Sequence, residues 1–343
     1  MDSQDKPGGG SARLAAVPRK PPTLRFSIVI EWENARLSDL GRTHRMLDGL
    51  AAQISALDPR RFSLRQVVIL HDRATVARSL IEGALARGLG PAIGPERLRV
   101  IATEGLGYYQ LKNFGARHCD GDVVALLDSD VVPEPDWLAN LLEPFRRFPR
   151  ASVVAGTSYI ELEGIYSKAV AMWWFFPLRP RGTGLRRVRR FWANNVAFRR
   201  RLFLATGFPD SDKFRGQCLS LAGALRRSGV PILERIDARV AHPAPNGWKH
   251  FVCRGLCQGH DNVRIGDLPN RPHLATWRAS WARFIANLRR ARARIRDQRA
   301  SVGVGAIGAA MAYLLAIGYF GLMFAGERVA LRRPALIRKY FPI

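Results

Sequence analysis

The run Val123-Val124-Ala125-Leu126-Leu127-Asp128-Ser129-Asp130 decides the fold. Five consecutive apolar residues describe a strand buried on both faces, as a central parallel strand is. Two carboxylates, at i and i+2, leave its carboxyl end together. Working outward, 98–102, 66–70 and 26–30 are further short β-rich runs. Between them the apolar spacing turns helical over 37–57, 75–87 and 110–118, with Leu40, Met46, Leu47, Leu50 and Ile54 on one face of the first. Strand–helix alternation from 26 to 127 predicts an α/β fold, a Rossmann-like, mostly parallel sheet with flanking helices. Such sheets bind ligands at the carboxyl ends of their strands. The residues to watch are therefore 31–34, Asp72, 104–108 and 128–130.

A buried ionised carboxylate is costly unless it is paired or bound to metal. An Asp-x-Asp at a strand end can hold a hard divalent cation, one carboxylate directly and the other directly or through water. Mg²⁺ or Mn²⁺ held there would neutralise a diphosphate as a leaving group. Alone the motif is common in surface loops. After an all-apolar strand, and before Pro133, Pro135, Asp136 and Trp137, it is far more specific.

The 343 residues are 47% hydrophobic, which excludes wholesale disorder, and the four cysteines exclude a disulfide-built scaffold. A balance of 54 Lys+Arg against 28 Asp+Glu gives +26 and asks for an anionic partner: nucleic acid, an anionic membrane face or phosphorylated substrates. The basic residues cluster in one loop and beside an uncharged run, and no nucleic-acid module signature appears, so no specific nucleic-acid partner is expected.

Residues 1–23 hold Pro7, Gly8, Gly9, Gly10, Pro18, Pro21 and Pro22 without an apolar run. They read as a flexible leader, not a secretory signal, which places the globular part in the cytoplasm. Residues 300–326 carry no charge and exceed the roughly 20 residues that span a bilayer. Ahead of them Trp277, Trp281, Phe284, Ile285 and Leu288 recur at helical spacing among eight arginines (278, 283, 289, 290, 292, 294, 296, 299), the pattern of a helix lying on an anionic leaflet. Arg328, Arg332, Arg333, Arg338 and Lys339 follow Glu327. Basic flanks on both sides fit a single crossing poorly. A re-entrant or two-helix hairpin, or an in-plane segment, keeps both flanks cytoplasmic; a buried core helix is the soluble alternative.

The string Lys112-Asn113-Phe114-Gly115-Ala116-Arg117, then Gly121-Asp122 through Asp128-Ser129-Asp130 to Pro133-Glu134-Pro135-Asp136-Trp137-Leu138, resembles family 2 glycosyltransferases. Phe191-Trp192-Ala193-Asn194-Asn195, Gly207-Phe208, 225–229 and 238–242 continue the match, in order, over about 26–245. The resemblance implies a GT-A fold over 24–265, with the leader before it and a membrane-associated region over 272–343. It implies inverting transfer from a nucleotide sugar to a saccharide or lipid-linked acceptor at the cytoplasmic face of the membrane. Glu33, Asp72, Lys112, Asp128, Asp130, Asn194 and Arg254 would then bind the nucleotide sugar, with Asp128 and Asp130 on the metal. His242 falls on the family's closing strand.

The chain departs from the family in two places. Glu31 replaces the usual Pro after the first strand. Gln217 and Cys218 occupy the positions of the acidic pair that supplies the base, and neither can act as a carboxylate base. Three readings follow: a shifted base, with Asp212 first and Asp210 second; an acceptor needing little base help; or a silent relative that binds nucleotide sugar or partners another transferase.

Two further constellations have alternatives. His250, Cys253, Cys257 and His260 invite a zinc reading, but Cys-x3-Cys is not a common knuckle. Arg179, Arg181, Arg186, Arg187, Arg189 and Arg190 crowd a Gly/Pro-broken loop, read as a mobile clamp over phosphate or as a solvated basic loop. The aromatic run 173–176 before it would line an acceptor channel, dip into the membrane or belong to the core.

Overall fold

The computed structural model describes residues 22–37, 39–211, 213–264 and 276–341. Residues 1–21 of the expected leader, and Asp212, lie outside the described residues.

Among the described residues the nine strands are β1 (Leu24–Glu31), β2 (Phe62–Asp72), β3 (Leu98–Thr103), β4 (Val123–Asp128), β5 (Val132–Pro133), β6 (Val153–Ile160), β7 (Leu185–Val188), β8 (Asn195–Arg199) and β9 (Ile232–His242). They form one sheet in the order β3-β2-β1-β4-β8-β6-β9-β5, with β7 hydrogen-bonded to β9. The β3-β2-β1-β4 half is parallel, as the alternation predicted. β8 then enters antiparallel between β4 and β6, and β6 runs parallel to β9. In the parallel register Glu31 sits beside Leu70 and Asp128, so the strand ends form one edge.

Among the described residues twelve α-helices cover or extend the sheet: α1 (Leu40–Ala56), α2 (Arg78–Arg87), α3 (Leu89–Ile93), α4 (Tyr108–Arg117), α5 (Trp137–Arg147), α6 (Gly164–Ala171), α7 (Arg200–Thr206), α8 (Gln217–Arg227), α9 (Gly247–Val263), α10 (Trp277–Gln298), α11 (Ala306–Arg332) and α12 (Pro334–Tyr340). Side chains alternate faces along a strand. Thus Ala125 and Leu127 of β4 pack with Met46, Leu47 and Leu50 of α1 and with Leu141 of α5. Val124 and Leu126 pack with Leu111 of α4, Phe203 of α7 and Leu221 of α8. Both faces of β4 are therefore dry, which explains its all-apolar run. Leu40, expected on the buried face of α1, is solvent-exposed because Asp39 caps the helix there, accepting from Arg42 N, and opens its first turn to water.

The arginine-rich loop is ordered. β7 lies antiparallel on β9, Arg186 pairs with Glu234 at 2.5 Å, and Glu134 takes Arg179 at 2.5 Å and Arg239 at 2.8 Å. Carboxylates thus hold Arg179 and Arg186, two of the six arginines that the sequence offered as a mobile clamp.

The charge-free run begins as a turn, with Gly303 at φ +66°, and becomes α11 only at Ala306. Glu327, inside α11, is buried and receives Arg283 of α10 at 2.5 Å and Asn262 of α9 at 2.9 Å. α11 packs on α9 backbone to backbone. A Cβ on Gly259 would come 2.0 Å from the Met323 carbonyl, and one on Gly326 would come 2.2 Å from the Leu256 carbonyl. Only 22% of the apolar stretch of α11 is buried, so its other face looks outward, with Ile307, Met311 and Leu314 exposed at i, i+4 and i+7. By length and composition α11 is apolar enough to cross a membrane.

Gly259→Val or Gly326→Val should destabilise the chain by about 1–3 kcal/mol, because the added methyls meet backbone that cannot turn aside. Unchanged denaturation midpoints for both would show that the two helices separate at no cost.

Candidate active site

The strand-end edge carries two carboxylates with opposite fates. Asp128 is saturated by the protein. Its oxygens receive Lys112 Nζ at 2.6 Å, the Tyr108 hydroxyl at 2.8 Å and Asn34 Nδ2 at 3.0 Å. Tyr108 and Lys112 are i and i+4 on α4, so both reach one spot. Lys112 is wholly buried and also donates to the Leu127 carbonyl. Burying both ions together avoids the cost of burying either alone.

Asp130 is the reverse. It is buried, yet its Oδ1 has no hydrogen-bond partner among the described residues. Its Oδ2 lies 3.9 Å from Nε2 of His242, at the end of β9. The Nδ1 of that ring lies 2.7 Å from the Pro243 carbonyl, which can only accept, so Nδ1 carries the proton and Nε2 presents its lone pair. Burial pushes His242 down to about 3, leaving it neutral. Burial, and then the neighbouring Asp128 charge, push Asp130 up to about 6.

Arg42, from the first turn of α1, ties these segments together. Its Nε donates to the Asp130 carbonyl at 2.5 Å, its Nη2 to the Ala241 carbonyl at 2.6 Å, and its Nη1 pairs with Glu161. A buried carboxylate with one oxygen orphaned and the other 3.9 Å from an imidazole nitrogen suits a divalent cation such as Mn²⁺. No three His, Cys, Asp or Glu side chains converge on one point among the described residues, so substrate oxygens or water would complete the shell.

Both aspartates face a cavity of about 540 Å³. Its far wall is α9, through His250, Arg254 and Gln258; its apolar wall is Trp174, Phe175, Phe176 and Trp192. The aromatic run thus lines the cavity and also joins the core, where Trp174 and Tyr319 of α11 have centroids 5.1 Å apart. Arg215 stacks 3.9 Å over the Tyr108 ring and donates to Asn34 Oδ1.

Of the residues expected from sequence, Asp128, Asp130, Asn194 and Arg254 line this cavity. Lys112 stands behind Asp128. Glu33 and Asp72 are turned to the scaffold. Glu33 accepts from Asp72 N at 2.8 Å, and Asp72 accepts from Gly105 N at 2.8 Å and Ala74 N at 2.9 Å, joining the β1, β2 and β3 ends. Asp210 receives Gln110 Nε2 at 3.1 Å in a separate hollow with Asn113 and Arg117. Cys218 lines the cavity and takes a weak bond from the Tyr109 hydroxyl at 3.5 Å, while Gln217 is buried and bonds the Lys213 carbonyl. The proposed zinc ligands are strung along α9 over ten residues, or about 15 Å, too far to meet on one ion. Tyr108 lies in the stretch 104–108 marked from the sequence, but its bond to Asp128 was not foreseen, and neither were Arg42 and Arg215. The Tyr108/Lys112 spacing on the helix after β3 was the available signal for the first.

Lys112→Met should cost about 3–5 kcal/mol by leaving a buried unpaired carboxylate, and adding Asp128→Asn should recover part of it in denaturant melts. An equal loss in the double variant would mean that the pair is not coupled. Mn²⁺ affinity should fall about tenfold per pH unit below about 6, as Asp130 takes up a proton and His242 stays neutral. A flat pH profile in a Mn²⁺ titration would exclude Asp130 as ligand.

Residues 47–205 match the model for glycosyl transferase family 2. A glucosyl-dolichyl phosphate glucuronosyltransferase of Haloferax volcanii is 32% identical over 183 residues, 48% of this chain and 57% of that protein, so the chain spans little over half of that relative. Among solved structures, the mannosyltransferase PcManGT from Pyrobaculum calidifontis in complex with GDP-Man and Mn²⁺ superposes with TM-score 0.52 at 18% identity, covering 91% of this chain and 89% of that one. GalNAc-T7 with UDP, GalNAc and Mn²⁺ gives 0.50 at 16% identity, over 71% of this chain and 52% of that one. A strand-end acid pair on a curled α/β sheet and the match over 47–205 lead to one conclusion: this chain carries a glycosyl transferase family 2 domain on a GT-A type fold.

Proposed function

We propose that the chain transfers a sugar, with inversion, from a nucleoside diphosphate sugar to a lipid-linked or polysaccharide acceptor at the cytoplasmic face of a membrane. The observation that carries this is Asp130 at the edge of the cavity, with its Oδ1 buried and unpaired and its Oδ2 3.9 Å from Nε2 of His242. Asp130 and His242 would hold Mn²⁺ or Mg²⁺; when bound, the cation offsets charge on the departing diphosphate. Arg254 and Arg215, the cavity arginines whose charges act on Asp130, would bind the same diphosphate. Asp128, locked by Lys112 and Tyr108, holds the strand end rigid beneath it. The names of the similar structures, with GDP-Man, UDP and Mn²⁺, support a nucleotide-sugar donor and a divalent metal.

A lipid-linked acceptor is supported by continuity between the cavity and α11. Gln258 of the wall accepts from the Tyr319 hydroxyl at 2.8 Å, and the aromatic wall packs on the same tyrosine. The outward face of α11 would rest on the bilayer, with exposed Trp277 and Trp281 of α10 at the interface. Exposed arginines such as Arg278, Arg289 and Arg292 would meet anionic headgroups. Not all eight arginines serve this end: Arg283 holds Glu327, and Arg294 donates to the Trp174 and Phe176 carbonyls.

Gln217 and Cys218 favour a second reading, a silent relative that binds nucleotide sugar without transferring it. One assay separates the two: full-length protein, Mn²⁺ or Mg²⁺, a panel of UDP- and GDP-sugars, and membrane lipid extract as acceptor. Release of nucleoside diphosphate supports the transferase, and binding without release supports the silent relative. Asp130→Asn should abolish Mn²⁺-dependent nucleotide binding in calorimetry with the melting curve unchanged; equal affinity in both proteins removes the metal role. Ile307→Asp with Leu314→Asp should weaken flotation with anionic vesicles at least tenfold. Unchanged flotation would place the membrane contact elsewhere.

A further inference from the structure

The loop that carries Arg215 is seated on a helix that lies outside the catalytic sheet. Lys213, Arg215 and Gly216 of this loop line the cavity. Gly216 sits at φ +100°, which favours glycine, and its N–H donates to the Tyr109 hydroxyl at 3.2 Å. Arg215 lies over the Tyr108 ring and donates to Asn34 Oδ1 at 3.1 Å. Asp261, near the end of α9, accepts the N–H groups of Phe214 at 2.9 Å and Arg215 at 2.7 Å. These bonds hold the main chain of the loop and the tip of the guanidinium. The ring of Phe214 is held differently. It packs on the apolar cluster of Cys257, Val263, Ala330 and Ile337, and its centroid lies 5.1 Å from that of His260.

Two members of that cluster come from α11 and α12. Pro334 lacks the N–H that would continue α11, so that helix stops at Arg332 and the chain re-enters a helix as α12. α12 brings Ile337, only 1% exposed, into the cluster, and Phe341 packs beside it. The Cys257 thiol donates to the Phe341 carbonyl at 3.0 Å, and Cys257 also lines the cavity. The segment 337–341 thus stands one side chain behind the cavity wall and against the residue that precedes Arg215. Asp130 and His242 are held by other means, Arg42 and the β5–β9 ladder. The arginine of the loop and the residues read as cation ligands can therefore be disturbed one at a time.

Resting on the nucleotide-sugar reading above, we infer that Ile337 and Phe341 are positioning residues for the donor: by seating Phe214 they hold Arg215 where it meets the diphosphate. They touch neither donor nor metal. Their effect reaches the donor through one loop, and it is confined to the anion that Arg215 binds.

The test uses the full chain with Mn²⁺ and measures affinity for UDP and GDP by calorimetry, Mn²⁺ affinity without nucleotide, and the melting curve. Ile337→Ala removes three carbons from the cluster, and Phe214→Ala opens the same contact from the loop side. Each should weaken binding of the nucleoside diphosphate about tenfold with Mn²⁺ affinity unchanged, while Ile337→Val stays close to wild type. In an Arg215→Gln background Ile337→Ala should cost nothing further, because the group it positions is gone. A role in stability alone predicts the opposite: a lower melting midpoint with nucleotide affinity intact, or Mn²⁺ and nucleotide affinity falling together. Either result overturns the inference, as does a full tenfold loss from Ile337→Ala on top of Arg215→Gln. Should Ile337→Ala not fold, Phe214→Ala alone and combined with Arg215→Gln decides by the same criteria. Nucleotide binding by the wild type that is indifferent to Ile337 and Phe214 defeats this inference and leaves the donor reading standing; a wild type that binds neither UDP nor GDP defeats both.

Discussion

The ion pair between Lys112 and Asp128 is the constraint around which the site is arranged. An acidic strand end buried beneath a ligand cavity would repel a second carboxylate two residues on. Lys112 lessens that conflict from behind, through the sheet-covering helix, and Tyr108 and Asn34 complete the shell of donors. Asp130 is then free to keep an unpaired oxygen in a buried place, a costly arrangement that has a use only if something else fills it. The two aspartates of one short motif thus differ: one is a paired structural anion, the other keeps a buried oxygen unpaired.

A buried cation, Arg42, fixes the segments that carry Asp130 and His242. Arg42 collects two carbonyls whose sequence positions are more than a hundred residues apart, and so ties the turn after β4 to the end of β9. The short β5–β9 ladder, Val132 beside Ala241, does the same from the other side. The facing of Asp130 and His242 is therefore held by backbone ladder and guanidinium together, and substrate need not assemble it.

The parallel half of the fold was legible because burial on both faces leaves a strand no choice but apolar residues, a mark that β4 and the buried runs of β1 and β2 carry and that the half-buried edge strand β3 carries only weakly. The acid pair was legible for the same reason, since carboxylates at the end of such a strand stand out. The order of β6, β8 and β9 was not, because the partners of an antiparallel insertion are chosen by contacts far along the chain. Side-chain direction was the other blind spot. Glu33 and Asp72 do sit at strand ends, but backbone N–H groups of neighbouring loops claim them. Arg42 looks like any polar residue of an amphipathic helix until the two carbonyls above it are seen. The uncharged run was plain in the sequence, whereas the face pressed on α9 depends on glycines that only a three-dimensional neighbour explains.

Those glycines have a mechanical corollary. Side chains between two helices act as compliant padding, able to change rotamer when one helix slides. At Gly259 and Gly326 there is no padding, and main chain rests on main chain. α9 carries Arg254 on one side and α11 on the other, so a displacement of α11 reaches the cavity wall undamped. α11 is thus seated on α9 like a lever on a bare pivot, with main chain and not side chains carrying the load between the outer helix and the cavity wall.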